Sequence, residues 1–423
     1  MHKFFPDIFC QGAKLSYLCS MNIIIIGAGA AGCFAAIEIK RRLPEAAVTV
    51  LERGKRPLAK VAITGGGRCN LTNSFGNIRS LEQVYPRGHR LMKRLLHHFS
   101  HEDTYEWFEK EGVRLTTQED HCVFPMSQDA MEIVNTLTEL MRREGVRVVT
   151  ECAVSAIVPA EEGYDVVTPS RTWHGNKVVI ATGGHPKKAG FDMLKALDID
   201  IVSPVPSLFS LCIADKGLTA LMGTVVEDAQ LLLIGTKMKS EGALLITHWG
   251  ISGPATLRLS SAAARVMAEK EYSGFSVSIN WLHGMEQGEI TEMLKDFASR
   301  NALKKLSSVY PSALNARLWL HILKRASLNS ETRWGELQGK GINRLVNALT
   351  NDAYEVTGKN RFKEEFVTCG GVALTSLNSK TLEAKNHPGL FFAGEVTDVD
   401  AVTGGFNLQA AWTMAMTVAR GIG

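Results

Sequence analysis

The sequence predicts an α/β protein whose principal sheet is assembled from both ends of the chain. Three observations carry this. Residues 22–26 are Asn22 followed by four isoleucines, an apolar, β-branched run that stops at Gly27, the pattern of a strand buried on both faces of a parallel sheet. Residues 30–43 then have helical composition up to Pro44, and residues 48–51 supply a second apolar strand, closing a β-α-β unit of about 30 residues. Near the other end, residues 390–393 read as a strand and a helix begins near Gly405, so the termini share one domain.

The 423 residues exceed what one core holds, since single cores stop growing near roughly 250 to 300 residues, and two or three domains are expected. From Val146 the text changes to short alternating segments, 146–150, 154–158, 164–167 and 172–173, which predict a small antiparallel meander. Residues 177–180 return the chain to the main sheet. Residues from about 190 to 280 are strand-rich, for example 230–234 and 275–279, and predict a separate β domain. Between 285 and 350 the spacing changes: Ile290, Met293, Leu294 and Phe297 recur at helical intervals, as do Leu314, Leu318, His321 and Ile322, so a helical cluster with these residues in its core is expected.

Composition narrows the function classes. Hydrophobic residues at 45%, charged residues at 21% and mean hydropathy near zero describe an ordinary globular protein. A net charge of +4 without a long basic run does not indicate an extended nucleic-acid surface. Eight cysteines without a CxxC pair fit reduced thiols in a cytoplasmic protein. No apolar run reaches the roughly 18 residues of a membrane span. Residues 1–20 make a poor signal peptide and read as an ill-ordered extension, with Met21 a candidate start.

The chemistry sits in glycine motifs. Gly27-Ala28-Gly29-Ala30-Ala31-Gly32 is a GxGxxG placed directly between a strand and a helix. In that setting Gly27 permits a tight turn, Gly29 lets backbone amides approach a pyrophosphate and Gly32 allows close helix packing. Glu52 ends the next strand, where a carboxylate accepts hydrogen bonds from ribose hydroxyls, favouring FAD or NAD over NADP. A second loop, TGGGRCNLTN at 64–73, sets mobile backbone beside Arg68, Asn70 and Asn73, suited to phosphate and a polar ring edge. Near the end, 403–409 opens a helix whose free amides suit the pyrimidine edge of a flavin.

Together TGGGRCNLTN, FPMS at 124–127, ATGG at 181–184, THWGISGP at 247–254, TCGGV at 368–372 and PGLFFAGEVTDVDAVTGGFNLQAAW at 388–412 resemble, nearly end to end, the aminoacetone-oxidase-like family of bacterial FAD flavoproteins. The resemblance implies a two-segment Rossmann-type FAD-binding domain (21–190 and 368–423), an inserted β-barrel-like domain (191–284, with a return through 351–367) and a small helical domain (285–350). It implies non-covalent FAD held by Gly27, Gly29, Ala30, Ala31, Gly32, Glu52, Arg53, Lys60, Gly67, Arg68, Cys69, Asn70, Asn73, Val154, Ala181, Thr182 and Gly183. On the carboxy-terminal side it adds Gly394, Glu395, Asp400, Gly405, Phe406, Asn407 and Leu408, with adenine on the backbone of Val154. The chain departs from the family after ATGG, where 185–190 is shorter and basic, which puts substrate geometry in question.

The expected function is hydride transfer between a small organic substrate and FAD, with NAD(P)H or oxygen as the other electron partner. Amine oxidation and, in a bile-acid-converting branch, enone reduction are both linked to the family, and the residues leave that choice open. A flavin-containing RNA-modification or sensor protein is the reading from another class, and the absent basic tract argues against RNA. His248 is the one candidate proton donor, with a structural role equally open. Cys69 reads as packing rather than redox, and His97, His98 and His101 as a solvated face rather than metal ligands.

Overall fold

The computed structural model describes residues 21–185, 187–360 and 367–423; the extension 1–20 lies outside the described residues. A five-stranded parallel sheet forms the frame, in the order Leu390–Phe392, Lys177–Ile180, Asn22–Ile26, Ala47–Leu51, Arg147–Val149. The central strand explains its own composition. Ile23 and Ile25 pack into one core with helices Ala30–Arg42, Ala130–Arg143 and Phe406–Ile422, while Ile24 and Ile26 pack into another beneath a three-stranded antiparallel sheet, Ala156–Ala160, Gly163–Val167 and Thr172–Gly175. Both faces are covered from Ile23 to Ile26, so those four positions are apolar, while Asn22 at the exposed start is polar.

The meander is therefore one strand shorter at its start than the sequence suggests. Residues 147–149 pair in parallel with Thr49 to Leu51 as the edge of the main sheet. Three residues carry too little pattern to separate a half-exposed edge strand from a meander strand. From the central strand the chain first builds outward through Ala47–Leu51 and Arg147–Val149, then returns to the opposite side through Lys177–Ile180 and Leu390–Phe392. This reversal makes a switch point, and in such sheets the crevice outside the carboxyl ends of the strands is where ligands bind.

The inserted part is a closed six-stranded barrel, in the order Leu211–Ile213, Gly250–Ser252, Lys239–Thr247, Val225–Leu233, Phe275–Asn280 and Asp352–Lys359. Helices Gln287–Arg300, Ala316–Arg325 and Gly339–Thr350 lie between the last two strands in sequence. They bury no core of their own: Leu318, Trp319, Ile322 and Leu345 share one cluster with barrel residues Leu231, Val277, Ile279 and Val356. Two crossing segments, Ile201–Ser207 and Val367–Val372, pair antiparallel on the way between sheet and barrel. Among the described residues no helix is long and apolar enough to cross a membrane.

Candidate cofactor site and the cleft beside it

At the carboxyl end of the central strand the glycines divide into two kinds. Gly27 has φ +103°, and a Cβ there would lie 2.5 Å from the Ala181 carbonyl oxygen; a Cβ on Gly32 would lie 1.9 Å from that of Gly27. Both are fixed by packing against protein. Gly29 differs, because a Cβ would meet nothing within 4 Å. The helix it opens, carrying Ala30 and Ala31 in its first turn, has no capping side chain and no acidic residue there, so its first amides and positive end face open space. Glu52 seals one flank: its carboxylate accepts the amides of Ala28 at 2.8 Å and Gly54 at 2.7 Å, fixing the acid against the glycine turn.

The other flank comes from the two strands beyond the switch point. Ala181, Thr182 and Gly183 leave Lys177–Ile180, and Gly394 and Glu395 leave Leu390–Phe392. Gly394 has φ +80° and packs against Ala31, where a Cβ would lie 3.0 Å from its methyl. Glu395 accepts the Thr368 amide at 2.8 Å and lies 3.7 Å from Lys60 Nζ. His185 joins them, sharing a 3.0 Å hydrogen bond with the Thr182 hydroxyl. Burial lowers its pKa, and Arg53 and Lys60 lower it further against the opposing pull of Glu395. Lys60 and Glu395 thus share one rim with His185 and Thr182, with the charge of Arg53 within reach of the His185 ring.

The third wall is the loop 64–70 against the start of the C-terminal helix. Gly65, Gly66 and Gly67 run through the left-handed region at φ +58°, +69° and +84°, and a Cβ on Gly66 or Gly67 would meet nothing within 4 Å. Cys69 is buried behind them; burial pushes its thiol up to about 12, opposed by a hydrogen bond with Thr64, which leaves a neutral packing group. The Asn70 amide, nitrogen towards Thr72 O at 3.0 Å, accepts the Gly405 amide at 3.2 Å. Asn73 donates to Gly404 O at 3.0 Å and accepts the Phe75 amide at 2.8 Å. Gly405 itself must be glycine, since φ is +88° and a Cβ would lie 2.2 Å from Thr72 O. Two loops more than 300 residues apart in sequence thereby become one surface.

Several expected contacts serve that surface from behind. Asn407 spends its side chain on the Ala401 amide and carbonyl, both at 2.9 Å. Phe406 is buried edge-on against Phe75 with ring centroids 5.0 Å apart, and Leu408 packs on the same core. Arg68 lies over the Phe124 ring, 4.4 Å from its centroid. Asp400 is fully buried, bonded by Arg87 Nε at 2.6 Å, by Arg87 Nη2 and by Ser207 at 3.0 Å. Burial pushes its carboxyl up, while Arg87 and Ser207 pull it down. Val154 is half-buried just ahead of the strand Ala156–Ala160. His248 is not brought to this cluster. It is exposed at the turn after Lys239–Thr247, its ring against Trp249, and lies beyond the Cys212–Gly250 pair, at the barrel end away from the entry at Leu211. Two surface hollows, around Arg325 and Arg344 and around Arg147 and Trp173, also lie away from the crevice.

Sequence reasoning missed the residues that join the barrel to this site. Helix Pro254–Ala268 lies beside the loop 398–405: Arg265 binds Asp398 at 2.7 and 2.9 Å, and the Ser261 carbonyl accepts Arg87 Nη1 at 2.6 Å. No periodicity links Arg87 to Asp400, 313 positions later.

The family profile described as HI0933-like protein Rossmann domain matches residues 21–421. The chain belongs to this family. As an HI0933-like protein it is an FAD-dependent oxidoreductase with a Rossmann-type domain, and the crevice fits the cofactor: an uncapped helix start, a void beside Gly29, a fixed carboxylate at Glu52 and a second void beside Gly66 and Gly67. Among its relatives, a 3-dehydro-bile acid delta(4,6)-reductase of Clostridium scindens is 26% identical over 95% of this chain and 98% of its own. A ribosomal RNA dihydrouridine synthase of Escherichia coli is 28% identical over 94% and 97%. Among solved structures, a 3-ketosteroid delta1-dehydrogenase of Sterolibacterium denitrificans aligns over 95% of this chain and 98% of its own at 12% identity, with a TM-score of 0.49.

Proposed function

We propose that this HI0933-like chain reduces a carbon–carbon double bond conjugated to a carbonyl, with a reduced nicotinamide nucleotide as electron source. The observation that carries this is a chemistry shared by two relatives with different substrates. A Δ4,6 double bond in a 3-keto steroid and the ring double bond lost in making dihydrouridine are both conjugated to a carbonyl, and both names describe saturation. When bound, FAD supplies hydride chemistry. Glu52 would hold the adenosine ribose and the uncapped helix amides the pyrophosphate. The 66–70 loop and the amides at 405–407 would border the ring, and the barrel helix Pro254–Ala268 would exclude water. In the net reaction a hydride adds to the β carbon and a proton to the α carbon, and the nicotinamide is oxidised.

A small enone is the substrate we favour. One observation favours the second reading, a uracil ring in RNA: residues 285–350 hold ten Lys and Arg against six Asp and Glu, so the chain's entire excess of four positive charges lies in the helical module. The deciding experiment is anaerobic stopped-flow of the FAD-loaded protein with NADH, NADPH or small amines, followed by reoxidation with a dienone steroid or with RNA. Bleaching near ~450 nm by a nicotinamide and recovery with the dienone are expected. Bleaching by an amine alone would overturn the reductase reading in favour of the oxidase.

A further inference from the structure

Three arginines of the cleft between sheet and barrel are already committed. Arg87 is held by Asp400, Ser207 and the Ser261 carbonyl; Arg265 donates through one nitrogen to both oxygens of Asp398; Arg68 lies over Phe124 and bonds Gln128 and Gly65. Arg258 is different. It is exposed on helix Pro254–Ala268, and its hydrogen bond is to a backbone carbonyl, that of Glu241, at 3.1 Å.

Its position follows from the helix. Positions 258, 261 and 265 fall on one face, at helical spacings of three and four residues. Residue 265 meets Asp398 through its side chain, the Ser261 backbone carbonyl meets Arg87 of the Arg87–Asp400 pair, and one turn earlier the side of the helix that holds Arg265 carries Arg258. An independent observation agrees. Burial pushes the Cys122 thiol up to about 11, and the charge of Arg258 is among the influences that oppose it, so the guanidinium is within electrostatic reach of Cys122, whose backbone pairs with Asn73.

We infer that Arg258 is the substrate anchor of this cleft, a guanidinium that binds the carbonyl oxygen of the acceptor and the negative charge that develops on it. This rests on the reductase reading for the carbonyl acceptor. The chemistry needs such a group: when a hydride adds to the β carbon, the electron pair of the double bond moves towards the carbonyl oxygen, and a fixed cation stabilises that charge. A guanidinium also presents two parallel donors to one oxygen or to a carboxylate and stays charged at every working pH.

The test uses the FAD-loaded protein with 4-hydroxybenzaldehyde, a phenol whose anion places a charged oxygen beside a bound flavin and is read by its long-wavelength absorbance. Charged hydrogen bonds are worth about 1.5–3 kcal/mol, so Arg258→Met should weaken binding about 10- to 100-fold and Arg258→Lys restore part of the loss. Reoxidation of the reduced flavin by an enone should slow in Arg258→Met and recover in part in Arg258→Lys. Binding within twofold of the wild type in Arg258→Met overturns the proposal. So does a wild type that binds no phenolate, or loss of FAD from both Arg258→Met and Arg258→Gln, which would make Arg258 a structural residue. If the phenolate effect is found but no nicotinamide reduces the flavin, the reductase reading fails and the anchor stands.

Discussion

The residues of the crevice divide by whether protein or open space meets them. Cys69 belongs to the first kind, and its environment sets a pH dependence. In the unfolded chain a thiol ionises near about 8.5, whereas burial holds Cys69 at about 12 and Cys122 at about 11 in the folded protein. The folded state therefore keeps protons that the unfolded state loses, so the stability these thiols allow is fully present below about pH 8.5 and falls as pH rises towards 11, by about 1.4 kcal/mol per thiol per pH unit. Urea unfolding at pH 7.5 and 10 should show the wild type losing more stability than Cys69→Ala/Cys122→Ala. Equal losses would mean the two thiols titrate alike folded and unfolded. A neutral thiol is also a poor nucleophile, which agrees with the packing role read from the absence of a partner cysteine.

At the scale of elements, the strand–turn–helix at 22–42 was legible because composition, glycine spacing and a terminal acid agree at short range. The same agreement let the C-terminal strand and helix be read, with bounds within a residue or two of those observed. What short-range pattern did not reveal was which element each loop would touch. The side chain of Asn407, a residue expected at the cofactor, closes its own loop on Ala401, because a buried backbone pair needs a partner and a side-chain amide supplies both halves. The first turn offers a clean separation of packing from binding. Gly32→Ala places a Cβ 1.9 Å from a backbone oxygen and should destabilise the protein with or without FAD. Gly29→Ala places its Cβ in open space, so the cofactor-free protein should melt within about 1 °C of the wild type, as expected of a change that costs only a few tenths of a kcal/mol. FAD affinity, followed by quenching of flavin fluorescence, should nevertheless fall at least tenfold. Equal affinity would place the pyrophosphate elsewhere.

At the scale of the whole molecule, the sheet and the barrel each have a core, and a polar cluster ties the two together. Arg87 is its centre: 11% exposed, it joins Asp400 of the sheet domain, Ser207 of the crossing strand and the Ser261 carbonyl of the barrel helix. Nothing in the sequence marks it, because its partners come from three distant segments and its neighbours Pro86 and Gly88 read only as a turn. Removing one member of a buried ion pair costs about 3–5 kcal/mol, mostly because the remaining charge has no partner. Arg87→Met should therefore be strongly destabilising, and Arg87→Met/Asp400→Asn less so. The loss should also fall between the bodies rather than within them. Release of FAD reports on the sheet, and emission from Trp281, Trp319 and Trp334 is weighted to the barrel-and-helix core. In the wild type the two signals should change together on heating; in Arg87→Met the transitions should separate by several degrees, because the ion pair that ties the barrel helix to the 398–405 loop is gone. Coincident transitions in the variant would show that the antiparallel pairing of Ile201–Ser207 with Val367–Val372 couples the two bodies without it.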